Sequence, residues 1–475
     1  MTDKPRRALL SIDEALHLDR RETVDLFQSY LNNVQVSMFK LLDFDKKFVK
    51  AEGVYLWDDN GKRYVDFIGG YGSLNVGHNN PAIIEAVAKM DDQPNMFSVN
   101  IGAVPAALAA NLASISPPGL KRCFFCNSGT EAVEAGLKLA RLVTNRHKVV
   151  SAISAFHGKT LGALSVSGRE KYKKLFRPLL EGCYVVPYGD LKALEQALDN
   201  RDVAAFIVEP IQGEAGVIVP PPGYLKGAAD ICRKYGTLFI ADEIQTGLGR
   251  TGTLFASTFE EVKPDIMLLA KSLSGGIMPI GAMMTTDAHW QKAYGTFETA
   301  FLHTSTFGGN TRACAAGIAS VNYIIDNDLT RQAKEKGKYL LDKLINLQSD
   351  HPLIKDVRGR GLLIGMEFKE PFQGYIDRMT KGTLNRIYHE YFASIVASQL
   401  VHKYGIITAF TWNNPNVLRF EPPLEIGYEE LDLLVSALDD ICGRNKTPGR
   451  TMVRAGQTAF RRATTRPKKK TKAAE

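Results

Sequence analysis

Apolar positions along this chain follow two rhythms. From about residue 81 to 320, short unbroken apolar runs alternate with stretches of helical period. The runs are RCFFCNS, KVVSAISAF, CYVVPYG, AAFIVEP, GTLFIADE, DIMLLAKS and IGAMMTT, each bounded by Gly, Pro or Asp. Strands apolar on both faces, with helices between them, predict a mostly parallel sheet covered on two sides. Residues 1–45 read as amphipathic helix. FVKAEGVYLWDDNGKRYVDF then reads as a β-hairpin around an Asp59-Asn60-Gly61 turn. From about 325 to 442 the texture is α+β. A charged helix (LTRQAKEKGKYLLDKLINL) leads to GLLIGMEF, a long helix, GIITAF, VLRFEP and a last helix from about 428 to 442. The expected organisation is an α/β large domain over 63–325 and a smaller α+β domain over 326–442, which the segment 1–62 joins. Residues 443–475 form a basic tail, read as disordered for want of large apolar residues.

Charge changes the picture only at that tail. The formal net charge is +8, which alone invites a polyanion-binding reading. Residues 443–475 carry eleven Lys and Arg against one acid, so the other 442 residues hold +8 less +10, or −2. Nucleic-acid binding is therefore a question for the tail alone. With 45% apolar and 23% charged residues in 475, the chain has the composition of a globular protein with a full core. The N-terminus has no apolar core of a signal peptide, and no run is long enough to span a membrane. Six cysteines are sparse for this length and suit a reduced, cytoplasmic setting. Cys123 and Cys126 make a C-x-x-C, a redox or metal motif in principle. They flank Phe124 and Phe125 with no second pair following, and read as core; no metal site is expected.

Candidate chemistry lies where polar residues end apolar strands, because doubly wound sheets bind ligands at their carboxyl edges. Asn127-Ser128-Gly129-Thr130-Glu131 follows RCFFC as a strand-to-helix turn with a Ser128–Glu131 capping box. It is either an ordinary cap or an anion site, most often for phosphate. Phe156-His157-Gly158, Glu209 and Asp242-Glu243 end further runs. Lys271 ends Met267-Leu268-Leu269-Ala270, where solvation is poor. Either it snorkels outward, or burial lowers its pKa and makes it a Schiff-base nucleophile. A phosphate cradle, such a lysine and a buried carboxylate for a ring cation together describe a pyridoxal-phosphate site. GLGRTG at 247–252 imitates a dinucleotide fingerprint. Five residues, Asp242 to Thr246, separate it from the strand's Ala241, and it leads into TLFASTF, not into a helix, so the match is weak.

With these residues in place, the chain resembles the class III aminotransferases, which are fold-type I pyridoxal-phosphate enzymes. IADEIQTGLGRTG and KPDIMLLAKSLSGGIMPIGA resemble that family's signature. NSGTEAVEAGLKLAR, AFHGKTLGALS, VEPIQGEAGV, HTSTFGGN and LRFEPPL resemble further blocks in the same order, most like the putrescine and ornithine branch. The resemblance implies that Lys271 holds pyridoxal 5'-phosphate and shuttles a proton, and that Asp242 pairs with the pyridinium nitrogen. It implies Gln245 at the ring hydroxyl, Phe156 flat on the ring, and Gly129 and Thr130 at the phosphate. Thr306 would reach the phosphate of a neighbouring subunit, so a homodimer with shared sites is implied. Arg419 would clamp the α-carboxylate of 2-oxoglutarate. Glu214 would neutralise Arg419 for one substrate and swing away for the other, and Tyr71 would face the substrate. Without the resemblance, Arg419 also reads as a structural ion pair and Tyr71 as a part-buried structural side chain. Thr311-Arg312 and Ser274 depart from the branch's usual residues. The activity implied is transfer of the terminal amino group of a diamine or ω-amino acid to 2-oxoglutarate. Rivals are another donor, such as acetylornithine, 4-aminobutyrate or an amine with pyruvate, or a mutase, epimerase or decarboxylase on the same scaffold.

Overall fold

The computed structural model describes residues 9–42, 44–96, 101–370 and 383–444. All seven expected strands pair into one sheet. Its order is Leu120–Cys126, Gly281–Thr286, Ile266–Leu269, Leu238–Asp242, Val203–Val208, Lys148–Ala152, Cys183–Val186. Gly281–Thr286 runs antiparallel to both neighbours, and the other six strands share one direction. The central strands Val203–Val208, Leu238–Asp242 and Ile266–Leu269 are buried at every residue. That is why the sequence shows them as continuous apolar runs and not as alternation. Helices cover both faces. Gly129–Thr144 packs its apolar stripe on one, with Val133, Leu137 and Ala140 buried. Tyr224–Tyr235 covers the other, buries Leu225, Ala228 and Cys232, and ends on Gly236 in the left-handed region. A common strand direction gathers the ends of several strands on one edge, the place for a ligand.

The N-terminal segment forms three helices, Ile12–His17, Arg20–Tyr30 and Asn33–Leu42. The first two open on capping boxes, Ser11 with Glu14 and Asp19 with Glu22. The hairpin follows as Tyr55–Asp58 paired with Arg63–Asp66. Asp58 Oδ1 accepts from the N–H groups of Asn60 and Lys62, and Gly61 supplies the positive φ of the turn. Phe48–Glu52 adds on one side and Ile406–Ile407, in parallel, on the other. The smaller part holds a second sheet, ordered Ile354–Arg360, Leu363–Phe368, Val417–Phe420, Ala409–Phe410. Ile354–Arg360 is absent from the sequence reading. Its IKDVRGR is mostly polar because it lies at a sheet edge. The charged helix, Leu329–Asp350, still buries Leu329, Ala333, Leu340 and Leu344.

The loop that imitates a dinucleotide fingerprint has another use. After Gly252 the chain makes only a short 3-10 turn, Ala256–Glu260, so no helix opens on the third glycine. Arg250 is fully buried. It donates to Leu362 O (3.0 Å), Asn75 Oδ1 (2.6 Å) and Pro422 O (2.5 Å). Burial pulls its pKa down to about 10. The C-x-x-C is core, as expected: Cys126 is buried and Cys123 partly so. Burial pushes the Cys126 thiol up to about 12, far from a reactive thiolate. The departures from the family pattern have local partners. Thr311 Oγ1 donates to Pro94 O, Arg312 pairs with Asp91 at 3.0 Å, and Ser274 Oγ donates to Met278 O. No helix among the described residues is long and apolar enough to cross a membrane. The tail from 445 lies outside the described residues.

Candidate active site

A cleft of about 660 Å³ opens at the carboxyl edge of the large sheet. Gly129, Thr130, Phe156, Asp242, Gln245 and Lys271 all line it, contributed by four separate strand ends. Lys271 begins a 3-10 turn directly after its strand and has φ +47, in the left-handed region. A non-glycine residue there is strained, and such strain concentrates at functional sites. Burial pushes the Lys271 amine below the ordinary lysine range, opposed mainly by the charge of Glu421. Asp242 is 3% exposed and its Oδ2 lies 2.6 Å from His157 Nδ1. His157 is buried too, its backbone N–H donating to Ser167 Oγ. Its Nε2 has no partner among the described residues.

The anion cradle differs in detail from the sequence reading. Ser128 Oγ accepts from Glu131 N at 3.3 Å, as a cap should. Glu131, however, reaches back to the N–H of Asn127, one residue before the cap, and also accepts from Ser128 Oγ. The box is thus shifted by one residue, because the carboxylate is held by Asn127 and Ser128 together. The first turn of the helix, with N–H groups that no helix satisfies internally, opens on the cleft. Gly129 fits closely there: a Cβ would sit 3.0 Å from the Ile244 side chain, which would have to give by a few tenths of an ångström. Thr130 Oγ1 bonds Thr160 Oγ1 at 2.8 Å, and Gly158 leaves the room, since a Cβ there would lie 2.3 Å from Thr130 Oγ1.

Arg419 and Glu214 meet beside the cleft. Both are buried, with Glu214 Oε1 2.7 Å from Arg419 Nη1. Glu214 Oε2 accepts from Trp412 N at 2.9 Å. Arg419 lowers the carboxyl pKa of Glu214 against the opposing effect of burial. Tyr71 is 40% exposed, and its ring lies 5.2 Å from the Arg419 guanidinium carbon. Gln245 Nε2 donates to Tyr71 O and to Glu421 Oε2, each at 3.2 Å, so this amide bridges the cleft to the arginine. Thr306 is exposed and does not line this chain's cleft. Its neighbour Ser305 does touch the edge, its Oγ accepting from Asn127 Nδ2 at 3.0 Å.

Sequence reasoning left three residues without a role. His157 follows an apolar strand, but its contact with Asp242, 85 positions away, leaves no local trace. Glu209 also ended a strand. It accepts from Phe156 N and Gly213 N, and burial pushes it up to about 7. Glu421 was readable only as a residue two beyond Arg419, and so on the same face of an extended segment.

Comparison with known proteins agrees with this geometry. The model of the family described as "Aminotransferase class-III" matches residues 43–442. The chain belongs to the class III aminotransferases, whose fold-type I architecture it shares. Membership of that family implies pyridoxal 5'-phosphate as cofactor. Among individual relatives, aminotransferase PigE of Serratia sp. (strain ATCC 39006) is 37% identical, over 93% of this chain and 56% of that protein. The chain thus spans little more than half the length of that curated relative. The ornithine aminotransferase of Toxoplasma gondii ME49 is 33% identical with a TM-score of 0.79, covering 91% of this chain and 98% of the other. An acetylornithine aminotransferase of Elizabethkingia anophelis is 29% identical with a TM-score of 0.73, covering 90% and 100%.

Proposed function

We propose that this chain moves the terminal amino group of a diamine or ω-amino acid, putrescine- or ornithine-like, to 2-oxoglutarate in two alternating half-reactions. The buried Arg419–Glu214 pair beside Lys271 carries this reading. One pocket must take a donor end without an α-carboxylate and then an acceptor with one. A mutase or decarboxylase, with no such alternation, has no need of a neutralised arginine.

The residues present fit pyridoxal phosphate. Asp242 is a buried carboxylate that needs a cation, the helix start at Gly129 suits a phosphate, and burial lowers the Lys271 amine. When bound, the cofactor supplies an aldehyde carbon for the amino group and an electron-withdrawing cationic ring. Lys271 Nζ would hold the cofactor at rest and, once the incoming amine has displaced it, would be the base placed to move a proton between neighbouring carbons. Asp242, oriented by His157, keeps the ring nitrogen protonated. Phe156 would face the ring, Gln245 would lie at its hydroxyl edge, and Gly129 and Thr130 would hold its phosphate. Glu214 occupies Arg419 while the amine donor is bound and yields it to the α-carboxylate of the acceptor. Tyr71 forms one wall of that subsite.

Thr306 is assigned to the phosphate of a second copy, in a homodimer. Phe297, Phe301 and Phe307, all exposed in the loop around it, support that association. Putrescine, cadaverine, ornithine, acetylornithine, 4-aminobutyrate and lysine should be offered with 2-oxoglutarate and with pyruvate. Glutamate formed from a diamine or ornithine is the expected result. Failure of every donor to transfer an amino group would overturn the reading.

A further inference from the structure

Arg419 has two carboxylates, and they are held differently. Glu214 takes Nη1 at 2.7 Å from one side. Glu421 Oε2 lies 3.4 Å from Nε on the other, and Nη2 has no partner among the described residues. Glu421 is fully buried and built in. Its backbone N–H donates to Phe67 O at 2.8 Å, and its Oε2 accepts from Gln245. The turn Gly69-Gly70-Tyr71-Gly72, left-handed at all four residues, wraps it. A Cβ on Gly69 would lie 2.3 Å from Glu421 O, and one on Gly72 would lie 2.4 Å from Glu421 Oε1. That turn has no room for a side chain at either glycine, because the glutamate fills the space.

We propose that Glu421 is a positioning residue: the fixed anchor of Arg419, holding the guanidinium from its Nε side so that Nη1 and Nη2 form a preset fork for a substrate carboxylate. When Glu214 leaves, only Nη1 changes partner, and the planar fork is already placed for bidentate contact. Without the anchor, the departure of Glu214 would leave the guanidinium with neither carboxylate to hold its orientation. The proposal rests on the transaminase reading above, since it concerns the carboxylate-bearing acceptor.

The test uses the holoenzyme with Glu421→Gln, which removes the charge and keeps the size, and Glu421→Ala, which removes both. Each half-reaction is followed separately, and binding of glutarate, an unreactive dicarboxylate, is measured by calorimetry. Both variants are expected to raise the KM for 2-oxoglutarate and weaken glutarate about 10- to 100-fold, and to lower the diamine half-reaction less, since there Glu421 acts only through Lys271 and Gln245. Loss in Glu421→Ala alone would make Glu421 mere packing and overturn the proposal. A lower KM in Glu421→Gln would overturn it too, since Glu421 would then compete for Arg419 and not aim it. Equal loss in both half-reactions also counts against it. Where Glu421→Ala does not fold, Glu421→Gln and Gly72→Ala, which drives a Cβ onto Oε1, give the same decision through glutarate binding. If the parent binds glutarate yet transfers no amino group, the proposed function fails while the anchor is still judged.

Discussion

Lys271, partly buried, and Glu214 and Glu209, fully so, are three ionisable groups with different fates, and each yields a separate test. Lys271→Ala is expected to abolish the visible absorbance of lysine-linked cofactor and to lower the rate by at least about 10²–10⁴-fold, the range for a lost proton shuttle. A reducible adduct surviving on another lysine would refute the assignment. Glu214→Ala leaves Arg419 open at Nη1. The kcat/KM for amine donors should drop about 10- to 100-fold while that for 2-oxoglutarate does not fall. Steady-state kinetics on both substrates decides, and parallel losses would end the gating role. Glu209 works through pH. Its folded pKa of about 7 lies above the ordinary 4.5, with burial the main cause. A raised acid contributes stability that is present below the lower value and lost as pH rises through the upper one. The difference in Tm between the parent and Glu209→Gln should therefore move against the parent between about pH 5 and about pH 8. A constant difference would show that Glu209 does not titrate there.

Elements were legible where one physical demand dominated their sequence. The seven strands of the large sheet are buried on both faces, so hydrophobicity alone marks them. Ile354–Arg360 was not legible, because an edge strand whose Arg358 pairs with Asp356 and Glu367 looks like a polar loop. Site residues divide in the same way. Lys271 and Asp242 announce themselves as charges ending apolar strands. His157 and Glu421 do not, since their meaning lies in partners that the fold brings from elsewhere. GLGRTG was legible only as an imitation; its arginine is explained by Asn75, Leu362 and Pro422, which no spacing rule connects. Arg250→Lys keeps the charge and loses the fork. It should destabilise the protein by about 2–3 kcal/mol, read by denaturant unfolding. A change within about 0.5 kcal/mol would mean that the three carbonyl and amide oxygens find other donors.

At the scale of the whole molecule, the large sheet and the smaller part share one apolar core. Met267 and Leu269 from the central strands belong to the same buried cluster as Leu340, Phe368, Val396 and Leu438. The cleft is therefore framed by parts that share buried contacts. Its floor comes from strand ends of the large sheet, and its arginine from Val417–Phe420 of the smaller one. The proposed homodimer is tested at this scale. Phe301→Asp places a charge on an exposed apolar loop and should shift the protein toward monomer in ultracentrifugation, with activity falling in parallel. An unchanged mass with unchanged activity would remove Thr306 from the site. Residues 443–475, basic while the remainder is slightly acidic, should be dispensable for amino transfer, so a chain ending at Cys442 is expected to match the full chain in rate.

The left-handed turn around Glu421 has a consequence for anyone altering the substrate range. A Cβ on Gly72 and Glu421 Oε1 would share one volume, so what position 72 accepts depends on the residue at 421. A library that varies residue 72 in the parent is expected to return members with weakened acceptor binding, because a Cβ there displaces Glu421 Oε1. With Glu421→Ala in the background, side chains at 72 become sterically admissible apart from their positive φ. Successful redesigns of the carboxylate subsite should therefore arrive as paired substitutions, the hallmark of two positions that evolve as a single site.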